Sequence, residues 1–130
     1  MAAQQPVGDV YDWYTRAMNL LRSRDAAAAA ALLEHVARAE PESRCVREAL
    51  ARAQYESGAY EQARANFAAN VAESPTDDYA HFGLGLANVR VGDLEGACEH
   101  LAIAVAMRPE NAHYGTALRS ARAAREREAS

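Results

Sequence analysis

Three prolines constrain this chain more than any other feature: Pro41, Pro75 and Pro109 fall 34 residues apart, twice in succession. Pro6 stands outside the series. Other residues keep the same step. Gly58 and Gly92 are one period apart, as are Ala29, Ala63 and Ala97, and again Leu33, Phe67 and Leu101. A period of this length suits one helix–turn–helix unit, which cannot bury its apolar face alone and so stacks on its neighbours.

Cutting at the period gives units 10–43, 44–77 and 78–111, preceded by a flexible tail over 1–9 and followed by a capping helix and tail over 112–130, one domain in all. Each unit reads as two amphipathic helices. In the third, Tyr79 to Arg90 precedes a Gly92-Asp93 break, and Leu94 to Met107 runs up to Pro109. Gly92 supplies the left-handed turn that ends a helix, and Asp93 can cap the next. The second unit matches, with Cys45 to Glu56, a Ser57-Gly58 break and Tyr60 to Ala72. The first has no glycine at the break and turns at Ser23-Arg24-Asp25, with Asp25 as the cap for a helix opening on the run Ala26 to Ala31. Asn111 is placed to cap the last helix, whose face includes Tyr114 and Leu118.

The small residues of the series have a packing task. Ala29, Ala63 and Ala97 sit where the second helix of a unit must approach the first closely. The bulkier residue four positions on, Leu33, Phe67 or Leu101, fills the adjoining space on the same face. Each proline stops the second helix and sets the turn into the next unit. The pattern specifies a stack of helices and no chemistry.

The third unit carries His81-x-x-Leu84-Gly85-x-x-Asn88, then Ala97-x-x-x-Leu101-x-x-Ala104-x-x-x-x-Pro109. The second carries Arg47-x-x-Leu50-Ala51-x-x-Gln54, then Ala63-x-x-x-Phe67-x-x-Asn70-x-x-x-x-Pro75, and the first Trp13, Ala17, Ala29, Leu33, Val36 and Pro41. Three such units in phase resemble the tetratricopeptide repeat, of a small bacterial type. The resemblance implies an all-α, right-handed α-solenoid of three helix–turn–helix units plus a C-terminal capping helix, seven helices in total. Arg16 stands where the family usually has leucine, Arg47 interrupts an apolar position, and Asn88 and Gln54 replace the customary aromatic.

Composition narrows the function classes. The net charge is −4, which argues against a nucleic-acid binder, since such proteins present a basic surface to phosphates. All 14 basic residues are Arg, a usage that with the abundant Ala reads as codon bias of a high-GC bacterium. Two cysteines, Cys45 and Cys98, make no disulfide framework, and both read as ordinary small apolar residues. No signal-peptide order opens the chain, and no apolar run is long enough to span a bilayer, so a cytoplasmic protein away from membranes is expected.

No catalytic constellation emerges, and a non-enzyme is expected. His35, His81, His100 and His113 form no H-x-x-x-H pattern, and the cysteines no Cys-x-x-Cys, so neither a metal nor a cofactor is expected. His81 falls where a repeat places a large core residue. Asp77-Asp78 precedes a helix, where carboxylates cap and favour the positive end of the helix dipole. The arginines of the last helix, among them Arg119, Arg122 and Arg125, read as a solvated outer face.

The resemblance implies where a partner would bind. In this family the first helices line a concave groove, and that pattern falls here on Tyr11, Tyr14, Met18, Arg52, Tyr55, Tyr79, Phe82, Leu86, Val89 and Arg90 as the partner-binding set. Leu21, Cys45, Ala49, Gly83 and His113 occupy further positions of the same pattern. The set is rich in tyrosine and aliphatic residues, the composition of binding hot spots. The carboxylate clamp of the chaperone-tail subclass is absent: its positions hold Tyr14, Met18, Ala49, Tyr79 and Gly83. The expected function is therefore a protein–protein adaptor that holds a peptide or protein segment. The competing expectation is a self-associating scaffold whose homo-oligomer is the function.

Overall fold

The computed structural model describes residues 5–130, and of the expected tail, residues 1–4 lie outside them. Seven helices and no strands are found among the described residues: α1 (Val10–Arg22), α2 (Ala26–Ala39), α3 (Arg44–Glu56), α4 (Tyr60–Glu73), α5 (Asp78–Val91), α6 (Leu94–Met107) and α7 (Ala112–Ala129). The chain divides into two compact units, one up to Asn66 and one from Phe67 onward, with the boundary inside α4.

The hairpin turns share one hydrogen-bond pattern. The N–H groups of Arg24 and Asp25 donate to the carbonyls of Leu21 and Leu20; Gly58 and Ala59 donate to Tyr55 and Gln54; Gly92 and Asp93 donate to Val89 and Asn88. This is the Schellman arrangement, which satisfies the last carbonyls of a helix and needs one residue in the left-handed region. That residue is Arg24 (φ 64°), Gly58 (φ 91°) and Gly92 (φ 90°), each one period after the last.

The helix starts repeat as well. Asp9, Ser43, Asp77 and Asn111, again 34 apart, place a side-chain oxygen on an N–H of the first turn of α1, α3, α5 and α7. Asp9 completes a reciprocal box with Asp12. Asp25 and Asp93 cap α2 and α6 in the same way. Ala59 holds the equivalent place before α4 and has no side-chain oxygen to offer.

In the first unit a single apolar cluster includes Trp13, Ala17 and Leu21 of α1, Ala29, Leu33 and Val36 of α2, and Val46, Ala49, Leu50 and Ala53 of α3. In the second, Ala97, Cys98 and Leu101 of α6 pack with Leu118 and Ala121 of α7. Two glycines of α5 allow close approach: a Cβ on Gly83 would lie 2.4 Å from the Phe67 ring, and one on Gly85 2.6 Å from the Leu101 side chain.

Candidate partner-binding surface

The first helices are anchored through a repeated carbonyl. The oxygens of Val7, Pro41 and Pro75, one period apart, each accept a bond from a side chain of the following helix. Arg16 donates to Val7 at 2.8 Å, Arg47 to Pro41 at 3.3 Å and His81 to Pro75 at 2.8 Å. Each bond ties the turn before a helix to the body of that helix. The donors are Arg16 and Arg47, which break the apolar pattern, and the core histidine His81. Trp13 takes the place of Arg47 and His81 in the first repeat and instead packs edge-on to His35, ring centres 6.3 Å apart.

In the first unit, α1 and α3 bring several of the expected residues to the surface. Tyr14 and Met18 are half-buried, resting on the core cluster with one side and facing outward with the other. Tyr11 is 76% exposed. The Tyr14 hydroxyl lies 3.5 Å from the sulfur of Cys45, which is exposed rather than packed as an apolar residue. That hydrogen bond pushes the Tyr14 phenol up to about 12; burial and the nearby Cys45 and Glu48 add to the shift, while Arg52 opposes it. Tyr14 is therefore a neutral hydroxyl at physiological pH. Tyr55 and Arg52 are also half-buried, and the Tyr55 ring meets Tyr60 edge-on at 5.2 Å.

In the second unit the surface of α5 is built on a chain of ring contacts. Phe67 meets Tyr79 at 6.2 Å, Tyr79 meets Phe82 at 6.1 Å, and Phe82 stacks on Tyr114 of α7 at 4.6 Å. Tyr114 is buried and donates its hydroxyl to an Asp78 carboxylate oxygen at 2.7 Å, while Arg108 approaches the other oxygen at 3.5 Å. Burial first, then that carboxylate, drives the Tyr114 phenol well above its ordinary value. The network fixes α7 against the start of α5 and so fixes the ring on which Phe82 lies. Tyr79, Phe82, Leu86 and Val89 are all half-buried, and Arg90 is exposed.

Several positions of the family pattern lie elsewhere. Leu21, Ala49 and Gly83 are buried, the first two in the core of the first unit and Gly83 beneath Phe67. Of the Asp77-Asp78 pair only Asp77 caps α5; Asp78 belongs to the Tyr114 network. His81 is a buried core histidine, Cys98 is buried, and no group of three or more metal-ligating side chains is found among the described residues. The support of Phe82 by Tyr114 was not foreseen. Its only trace in the sequence is an aromatic on the apolar face of α7. The carbonyl anchors left a clearer trace, since residues 7, 41 and 75 keep the 34-residue step.

These helical hairpins, repeated with one turn chemistry and one cap series, define a helical-repeat protein. The tetratricopeptide repeat family matches residues 20–69 and, independently, residues 48–112, half of the chain, and the protein belongs to that family. Among solved structures, MamA (residue 41 to the end) from Desulfovibrio magneticus RS-1 is similar with a TM-score of 0.85 and 24% identity, covering 91% of this chain and 67% of that one. The first TPR of Spaghetti (RPAP3), bound to an HSP90 peptide, has a TM-score of 0.81 and 16% identity, covering 88% and 91%. The type III secretion chaperone SycD of Yersinia enterocolitica, in complex with a peptide of the translocator YopD, has a TM-score of 0.77 and 15% identity, covering 89% and 94%. No curated protein sequence matches significantly. Among the described residues no helix is long and apolar enough to cross a membrane.

Proposed function

We propose that this chain is a non-catalytic protein-interaction module, an adaptor that takes up a peptide or protein segment on the faces of its first helices. One observation carries the reading. Tyr14, Met18 and Tyr55 in the first unit, and Tyr79, Phe82, Leu86 and Val89 in the second, are held half-buried, each with part of an apolar or aromatic side chain left to solvent. Side chains ordered by their own core bind at low entropic cost, and aromatic anchors of this kind dominate interface energies. Tyr14 adds a neutral hydroxyl that can exchange hydrogen bonds with a ligand backbone. The similar folds of Spaghetti and SycD each hold a peptide, which supports peptide binding as the mode. With Tyr14, Met18, Ala49, Tyr79 and Gly83 at the clamp positions, we expect no specificity for an acidic C-terminal tail. The reading places the protein in the cytoplasm and needs neither nucleic acid nor membrane.

The test is affinity capture from a lysate of the source organism, with wild type beside a Met18→Glu/Leu86→Glu variant. These two residues are half-buried, each with one side left to solvent, and lie outside the chain of ring contacts, so folding of the variant is checked first by its helical circular dichroism. The adaptor reading expects a heterologous protein held by wild type and lost by the variant. Capture of the chain itself alone, with a mass that rises with concentration, would replace it with the scaffold reading.

A further inference from the structure

The second unit contains a histidine pair, one ring buried and the other half-buried. The Nδ1 atoms of His81 and His100 lie 3.0 Å apart and the ring centres 5.2 Å apart, with 24° between the planes, so the rings meet edge to edge through Nδ1. Nε2 of His81 sits 2.8 Å from the Pro75 carbonyl oxygen. His81 is 4% exposed, while His100 is half-buried. Valence fixes the protons. A carbonyl only accepts, so Nε2 of His81 carries a proton and donates it to Pro75. Nδ1 of neutral His81 is then a lone pair, and His100 must hold its own proton on Nδ1 to donate to it. A proton added to Nδ1 of His81 sets two N–H donors against each other. A proton added to Nε2 of His100 charges a half-buried ring bonded to a buried neighbour, and even partial burial of that charge is costly.

We propose that the His81–His100 pair is an acid-sensitive latch, holding α6 to α5 and α5 to the Pro75 turn while both rings are neutral, and loosening the second unit when the pair takes up protons. The charged groups around it do not relieve the strain. Burial and then His81 press His100 below its ordinary value of 6.5, against the smaller pull of Glu99 and the cap Asp93 on the α6 side. Around the turn stand Glu73 at the end of α4, and Asp77 and Asp78 at the start of α5. Asp77 is engaged by the Ala80 N–H, Asp78 by Tyr114 and Arg108, and Asp93 by the Gly96 N–H. With the folded value below the unfolded one, the unfolded chain binds more protons between the two. The latch therefore contributes fully above about pH 6.5, and its contribution is lost as pH falls from there through the folded value. The device is independent of what the surface binds.

Thermal unfolding of the full chain, followed by circular dichroism from about pH 7.5 to about pH 5.5, tests it in wild type, His100→Gln and the exposed control His113→Gln. Glutamine keeps an N–H for Nδ1 of His81 and does not titrate. Wild type and His113→Gln should lose about 4 °C over this range, and His100→Gln less than half of that. Parallel losses in wild type and His100→Gln would overturn the latch. Should His100→Gln not fold, the wild-type imidazole NMR titration decides. A His100 midpoint below 6.5 supports the latch, and a midpoint at or above that value overturns it.

Discussion

In the unit up to Asn66, Leu33 on α2 shares a core with Ala49 on α3; one period later, Phe67 stands for Leu33 and Gly83 for Ala49. The Phe67 ring lies where a Cβ on Gly83 would be, at 2.4 Å. The larger side chain is accommodated because its neighbour has shrunk, so the total volume is conserved while the residues differ. A similar contrast holds at the turns. The second unit bends through Gly92, while the first has Gly58 at one turn but at the other places Arg24 in the left-handed region at φ 64° and accepts the steric cost. The repeat prescribes a geometry, and each unit meets it with its own chemistry.

The compensation predicts the largest effect. Gly83→Ala should destabilise the protein by about 2–3 kcal/mol, since the Phe67 ring has to move within a packed core. Phe67→Leu together with Gly83→Ala recreates the pairing of the first unit and should recover at least half of that loss. Urea unfolding of the four members of the cycle measures the coupling. Additive losses would mean that the two positions are not compensating partners.

The turns give the next largest difference. Gly92 has nothing within 4 Å of an added Cβ, so Gly92→Ala isolates the backbone cost and should lose about 1 kcal/mol. Arg24→Gly should move the other way, gaining about 0.5 kcal/mol, because relief of the left-handed strain exceeds the added freedom of the unfolded chain. Equal and small effects at both positions would erase the contrast between the units. The smallest effect concerns the missing cap: Ala59→Asp should stabilise by about 0.5 kcal/mol, bringing α4 into line with α2 and α6.

Much of this was legible in the sequence because it is local and periodic. The prolines, Gly58, Gly92, Asp25, Asp93 and Asn111 mark helix limits through the conformations and caps that these residue types favour. The surface was legible in part. Family spacing picked out Tyr14, Met18 and Phe82 as facing residues, yet it also assigned Leu21, Ala49 and Gly83, which are buried. Helical phase gives a direction from the axis, and only the neighbour's volume decides whether that direction is core or solvent. Gly83 is covered because position 67 is a phenylalanine. The polar residues were the least legible. Arg16 and Arg47 look like packing faults until they, with His81, are seen to bond to the carbonyls of Val7, Pro41 and Pro75.

The most direct test of the binding reading is site-by-site photocrosslinking in cells of the source organism. A photoreactive amino acid is placed in turn at Met18 and Leu86 on the first-helix faces, and at the exposed Ala31 of α2 and Arg122 of α7. The account predicts heterologous adducts of one mass from Met18 and Leu86, and none from Ala31 or Arg122. Adducts confined to Ala31 or Arg122, or adducts only between copies of this chain, would contradict it.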